Sequence, residues 1–140
     1  MQYVCDAPGG KTWFRIETEA EADQESELMR HAVAKYFRRE RERALAAWKP
    51  PASAPLIERD IGLKSFVARR MPVFMTLRDG DGEGLATAML PPEGQGEANF
   101  QTIIVGPANS DPYEAHADAI AALARHLGGD LKRARCYPYA

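Results

Sequence analysis

The sequence lacks a long apolar run and has only two cysteines. No stretch of its 140 residues approaches the roughly 20 apolar residues that a membrane span requires. The N-terminus has neither the basic nor the apolar region of a secretion signal. Cys5 and Cys136 lie near opposite ends of the chain, and without an export signal reduced thiols are favoured. We therefore predict a cytoplasmic protein that does not engage a membrane.

Recognisable catalytic and metal-binding motifs are also missing. The patterns H-E-x-x-H, C-x-x-C and G-x-S-x-G do not occur. His116 and His126 share a predicted helix but differ by about 280° of rotation, so they cannot chelate one ion. His31 follows Glu27 by one turn, which is an ordinary spacing on a surface helix. The sequence thus predicts no metal, no cofactor and no catalytic residue, and a small enzyme without a recognisable motif is kept as the second alternative to the main functional prediction given below.

The chain has no excess of basic residues. It carries 18 Lys and Arg against 20 Asp and Glu, a net charge of −2, which argues against a dedicated nucleic-acid-binding protein. Its 45% hydrophobic and 27% charged residues are typical of a globular protein. Since one domain is expected at this length, we predict a single domain over residues 1–140.

Residues 18–48 contain neither glycine nor proline. Thr18 and Glu21 form the S/T-x-x-E pattern of a capping box, which indicates a helix start. Two prolines after Lys49 end the helix, because a residue before proline is excluded from the α region. We predict one helix over residues 19–48, about 45 Å long. A compact domain of this size is only about 37 Å across, so the helix would extend beyond it.

An apolar stripe follows this predicted helix, but Glu40 lies in its middle, within six consecutive charged residues. Acidic residues fill the first third of the helix and basic residues dominate its last half. This segregation fits a solvated helix with a favourable macrodipole, and it also fits two copies that pair antiparallel. We predict a protein-interaction module that forms a homodimer through the long helix, or binds another protein there. The predicted contact residues are Tyr36, Phe37, Glu40 and Trp48.

A candidate basic patch lies on the same helix, within about 140° of its circumference. The patch consists of Lys35, Arg38, Arg39 and Arg43. Phosphate contacts from such a patch give affinity without sequence readout. Because Glu40 and Glu42 lie among the arginines, nucleic-acid binding is an alternative to protein association rather than the main prediction.

Two glycine-rich segments match parts of ligand-binding loops. Residues 10–12, Gly-Lys-Thr, match the end of a phosphate-binding loop, but Cys5 stands where its first glycine is needed and a strand pattern follows. Residues 79–84 match the first half of a calcium loop, but Leu90 stands where a bidentate Glu is needed. We predict hairpin turns at both places.

The rest of the chain alternates strand and helix patterns. Residues 73–78 are apolar on both faces, which places that strand in the middle of a sheet. The other predicted elements are strands 2–6, 12–17, 85–90, 99–105 and 131–137, a Pro-rich connector 49–55, a short helix 63–70, a polar loop 91–98, and a helix from Asp111-Pro112 to Gly128. This order predicts an α+β two-layer sandwich: a mostly antiparallel sheet, one long N-terminal helix and one shorter C-terminal helix.

Overall fold

The computed structural model describes residues 1–49, 52, 55–93 and 100–139. In this part of the chain, five strands form one antiparallel sheet in chain order: β1 Gln2–Ala7, β2 Lys11–Ile16, β3 Val73–Arg78, β4 Gly84–Leu90 and β5 Ile103–Val105. Four α-helices accompany them: α1 Glu19–Met29, α2 Val33–Ala47, α3 Leu56–Arg70 and α4 Tyr113–Leu127. The predicted α+β class and antiparallel sheet are confirmed.

β3 lies at the centre of the sheet and is buried on both faces. On one face, Met75 and Leu77 join Trp13 of β2 in a core closed by α4, whose Ala119 carbonyl accepts the Trp13 indole N–H at 2.8 Å. On the other face, Phe74 and Ile16 pack in a second core with α1 and α2. The structure therefore has three layers, where the sequence predicted two. A strand that is apolar on both faces needs cover on both sides, which the order of elements alone does not reveal.

The predicted single helix over residues 19–48 is corrected by the structure to two helices. Arg30, directly after α1, adopts a left-handed conformation with φ 55° and ψ 50°. Ser26, in the last turn of α1, satisfies two backbone N–H groups that follow Arg30: its carbonyl accepts from His31 N–H at 3.3 Å and its hydroxyl accepts from Ala34 N–H at 2.8 Å. The helix thus ends without the glycine or proline that usually marks such a stop.

α1 and α2 fold back on each other, so the acidic and basic segments meet within one chain. Arg38 of α2 pairs with Asp23 of α1 and lies 3.9 Å from Glu19, while Arg41 lies 3.6 Å from Glu19. These side chains are about half exposed, so each pair adds at most about 1 kcal/mol to stability. The charge segregation that suggested two antiparallel copies is matched here by ion pairs within one chain.

Local signals at several boundaries are confirmed. Thr18 and Glu21 form the capping box, with the Thr18 hydroxyl accepting from Glu21 N–H at 3.2 Å and a Glu21 carboxylate oxygen accepting from Thr18 N–H at 3.1 Å. Gly128 ends α4 in the left-handed conformation, at φ 71°. In the β3–β4 turn, Asp79 accepts from two backbone N–H groups at 2.9 Å, so this carboxylate shapes a hairpin.

Other boundaries differ from the predictions. α3 is longer than the predicted 63–70 helix, and none of its residues is buried, which explains why its apolar period is weak. The predicted last strand 131–137 contains a 3₁₀ turn, Arg133–Arg135, and only Tyr137 forms a β-bridge, to Ile103. Residue 99 of the predicted strand 99–105 lies outside the described residues, and of the described residues 100–105 only Ile103–Val105 forms a strand. Most of the predicted connector 49–55 and loop 91–98 lies outside the described residues.

The break between α1 and α2 predicts whether a glycine at position 30 stabilises or destabilises the protein. Arg30→Gly should raise the free energy of unfolding by about 0.5–1 kcal/mol, because glycine takes a positive φ without the steric penalty of a β-carbon. In one continuous helix the same change would lower it by about 1 kcal/mol. Urea unfolding followed by circular dichroism distinguishes the two. Lys35→Gly, at an exposed position inside α2, is the matched control and should destabilise by about 1 kcal/mol.

Candidate functional site

A cavity of about 310 Å³ opens beside the break between α1 and α2. It lies on the sheet face that α1 and α2 cover, at the part of β4 and β5 that these two helices leave uncovered. Its floor consists of cross-strand neighbours: Met89 lies between Phe74 and Ile103, and Thr87 lies beside Val105. The remaining lining residues are His31, Ala32, Val33, Tyr36, Asn109, Tyr137 and Pro138. The volume is at the small end of the range for ligand pockets.

The lining is mostly apolar and contains none of the charged residue types Asp, Glu, Lys and Arg among the described residues. Two larger depressions, beside α4 and between α2 and α3, are different, because charged side chains such as Arg125 and Asp130, or Arg41 and Lys64, form part of their walls. The cavity at the break combines an apolar floor with a few polar groups, which is the usual composition of a small-molecule site.

His31 is on the cavity wall because it follows Arg30 in the break. Its Nε2 lies 2.8 Å from Thr87 Oγ1, and the backbone N–H of Val33 donates to its Nδ1 at 3.4 Å. When Nδ1 accepts this bond it carries no proton, and the proton of the neutral ring then lies on Nε2, from which it is donated to Thr87. Burial lowers the pKa of His31, against a smaller opposing contribution from its own backbone. The ring is therefore uncharged at neutral pH.

The His31–Thr87 contact resembles a base–nucleophile pair in distance but not in proton arrangement. A histidine that activates a hydroxyl must accept its proton, and it needs an acceptor at the other ring nitrogen to hold the right tautomer. Here that nitrogen faces a donor, the Val33 N–H. With the ring proton on Nε2, the Thr87 oxygen accepts from the imidazole, and the hydroxyl keeps its own proton to donate. The pair is arranged for binding rather than for proton abstraction.

The turn that contributes Asn109 has an unusual backbone. Ala108 and Asn109 are consecutive residues with positive φ, 54° and 61°. Asparagine tolerates this region, but alanine pays about 1–2 kcal/mol to adopt it. Ser110 holds the turn, since its carbonyl accepts from Gly106 N–H at 2.7 Å and its N–H donates to the Pro107 carbonyl at 3.1 Å. Backbone strain of this kind is enriched at binding sites.

The predicted partner-contact residues do not form one surface of the chain. Tyr36 is 37% exposed and lines the cavity. Phe37 is only 4% exposed and packs against Phe74, with ring centroids 5.2 Å apart. Trp48 packs against α3. Their role at a contact with another molecule stays a prediction.

Glu40 and the predicted basic patch form ion pairs within the chain. Glu40 lies 3.3 Å from Arg39 and 3.2 Å from Arg43, which gives this carboxylate the cationic partners that its place in the stripe required. Arg38 pairs with Asp23, and Lys35 is exposed. Nucleic-acid binding by these residues stays a prediction, and three of the four side chains already have an acidic neighbour.

Sequence reasoning missed the cavity because its residues come from six distant segments. The prediction for His31, a surface position next to Glu27, assumed a continuous helix. Thr87 offers a weak signal, since it interrupts the apolar strand Leu-Ala-Thr-Ala-Met-Leu. His116 lies elsewhere, with Nδ1 at 3.0 Å from Lys11 Nζ. Within the described part of the chain, no three His, Cys, Asp or Glu side chains are close enough to hold a metal ion.

The state of His31 predicts a pH dependence of stability. Because its pKa in the folded protein lies below the unfolded value of 6.5, the unfolded chain takes up this proton first as the pH falls. The free energy of unfolding should therefore decrease from about pH 6.5 downward. The free energy of unfolding of the His31→Gln variant should decrease less over this pH range. The variant His126→Gln, changed at an exposed position, should show the same decrease as the wild type. Urea unfolding at about pH 7.5 and 5.5 tests this, and equal slopes for wild type and His31→Gln would contradict it.

In the part of the chain that the structure describes, no helix is both long enough and apolar enough to cross a membrane. No protein-family model, no curated protein and no solved structure matches this chain.

Proposed function

We propose that the protein binds a small uncharged molecule in the cavity at the α1–α2 break. The observation that carries this proposal is Thr87, a residue that is 3% exposed, lines an apolar cavity and has its hydroxyl oxygen 2.8 Å from Nε2 of the neutral His31 ring. Such a hydroxyl offers a hydrogen-bond donor within the apolar floor of the cavity. A ligand with an apolar body and one acceptor atom, such as a ketone or ester oxygen, complements it.

The lining also limits the charge and shape of the ligand. A carboxylate or ammonium group would lose its hydration in the cavity without meeting an opposite charge, which is strongly unfavourable. Phe74 and Tyr36 supply aromatic surface, and Met89 supplies a side chain that adapts to ring edges. The chemistry therefore favours a neutral molecule of one or two rings.

Three probes of similar size test this chemistry. Acetophenone has a ring and a carbonyl acceptor, ethylbenzene lacks the acceptor, and benzoate carries a charge. Amide chemical shifts in two-dimensional NMR should show acetophenone binding at residues around Thr87, ethylbenzene binding more weakly and benzoate not binding. A preference for benzoate, or shifts spread over the whole surface, would contradict the proposal.

A pair of threonine variants separates the hydroxyl from general packing. Thr87→Val keeps the side-chain shape and should weaken acetophenone binding by about two- to tenfold, with no such loss for ethylbenzene, because a neutral hydrogen bond contributes about 0.5–1.5 kcal/mol. Thr12→Val, at a partly buried strand position outside the cavity, is the matched control and should leave both affinities unchanged. Val105→Phe should reduce binding of both probes by filling the cavity.

A further inference from the structure

α3 exposes three large aliphatic side chains within six residues. Leu56 is 81% exposed, Ile57 is 76% exposed and Ile61 is 62% exposed. Single exposed aliphatic residues are normal, but a cluster on one helix is typical of a surface that contacts another molecule. The opposite side of α3 faces the rest of the domain, since Phe66 and Gly62 both contact Trp48.

The exposed side of α3 consists of an apolar strip with charged residues along one edge. At 100° per residue, Ile57, Ile61 and the exposed Ala68 fall within about 40° of one another. Asp60 and Lys64 both lie on the same edge of this apolar strip. Within the chain they form an i,i+4 ion pair of 3.2 Å that is largely exposed, so this pair is accessible to another molecule.

The charges along α3 are arranged so that two antiparallel copies of the helix would place acidic residues opposite basic ones. The acidic residues Glu58 and Asp60 lie in the first half, and the basic residues Lys64, Arg69 and Arg70 lie in the second. Arg59 is also in the first half, but it is partly buried about 160° away from Ile57 around the helix and donates to the Ala52 carbonyl, so it does not belong to the exposed strip. When two helices pair antiparallel about a two-fold axis, the same edge of each helix meets. Asp60 of each copy then faces Lys64 of the other, and this contact occurs twice.

We propose that α3 is a self-association surface, on which α3 of a second copy of this chain packs antiparallel. With Asp60 opposite Lys64, Ile61 meets its own copy near the axis and Ile57 packs over the small Ala68 side chain. A parallel pair would instead bring like charges together. This surface differs from the one that the sequence predicted for a homodimer, residues 36–48, and it is independent of the cavity.

The contact is small, because one face of a 15-residue helix supplies it. We therefore expect a weak dimer, at the low end of specific interfaces. Sedimentation velocity with the full chain, from about 1 µM to 1 mM, should show a monomer–dimer equilibrium. Ile57→Ser with Ile61→Ser should weaken it at least tenfold. Leu127→Ser, an exposed leucine on α4, is the matched control and should leave it unchanged.

A mixing experiment tests the antiparallel geometry. In D60K both edge positions are basic, and in K64E both are acidic, so each variant alone should be monomeric where the wild type dimerises. An equimolar mixture should form a heterodimer, because both intermolecular contacts are then attractive. The ion pair within α3 is lost equally in both variants, so it cannot produce this complementation.

Three outcomes would overturn the proposal. The first is a wild type that stays monomeric throughout the concentration range. The second is a mixture of D60K and K64E that stays monomeric while the wild type dimerises, which would place the dimer contact elsewhere. The third is a monomer that binds vesicles containing anionic phospholipid through Ile57 and Ile61, which would identify a lipid surface as the occupant of this face.

Discussion

The left-handed residue Arg30 is the constraint on which the rest of the structure depends. One residue at φ 55° turns a chain segment that would otherwise continue as a helix, so that α1, of 11 residues, and α2, of 15 residues, lie side by side. Because the helix folds back, its acidic start meets its basic half, as the Arg38–Asp23 pair shows. The same turn removes His31 from a helix surface and places it on the sheet.

Two neighbouring threonines hold the end of α1 on the sheet. Thr76 and Thr87 are cross-strand neighbours on β3 and β4. Thr76 donates to the fully buried Glu25 at 3.0 Å, with Arg78 at 3.3 Å from the same carboxylate, and Thr87 contacts His31 at 2.8 Å. Burial raises the pKa of Glu25, while Thr76 and Arg78 oppose the rise. Since a buried carboxylate left without partners is strongly destabilising, these contacts fix the position of α1 more specifically than its apolar residues do.

Local signals in the sequence predicted the element boundaries that depend on local chemistry. The capping box at Thr18, the glycine at 128 and the turn around Asp79 each satisfy backbone groups within a few residues, and all three are confirmed. The break was missed because Arg30 carries the left-handed conformation without glycine, and because its stabilising partner, Ser26, reads as an ordinary helical residue. The cavity was missed because the register of β3, β4 and β5, which the sequence does not state, brings Phe74, Thr87 and Ile103 together.

The cavity and the break are parts of one structural unit, which determines how a ligand would act on the fold. His31 belongs to the break and contacts Thr87 in the cavity. A molecule that binds in the cavity therefore contacts residues whose positions depend on the left-handed conformation of Arg30. A ligand that binds only this conformation stabilises the protein by RT ln(1 + [L]/Kd), and the stabilisation includes the turn between α1 and α2. Protonation of His31 has the opposite effect, because a proton on Nδ1 would face the Val33 N–H that now donates to it. Binding of a neutral ligand and protonation of His31 therefore oppose each other through the same few atoms.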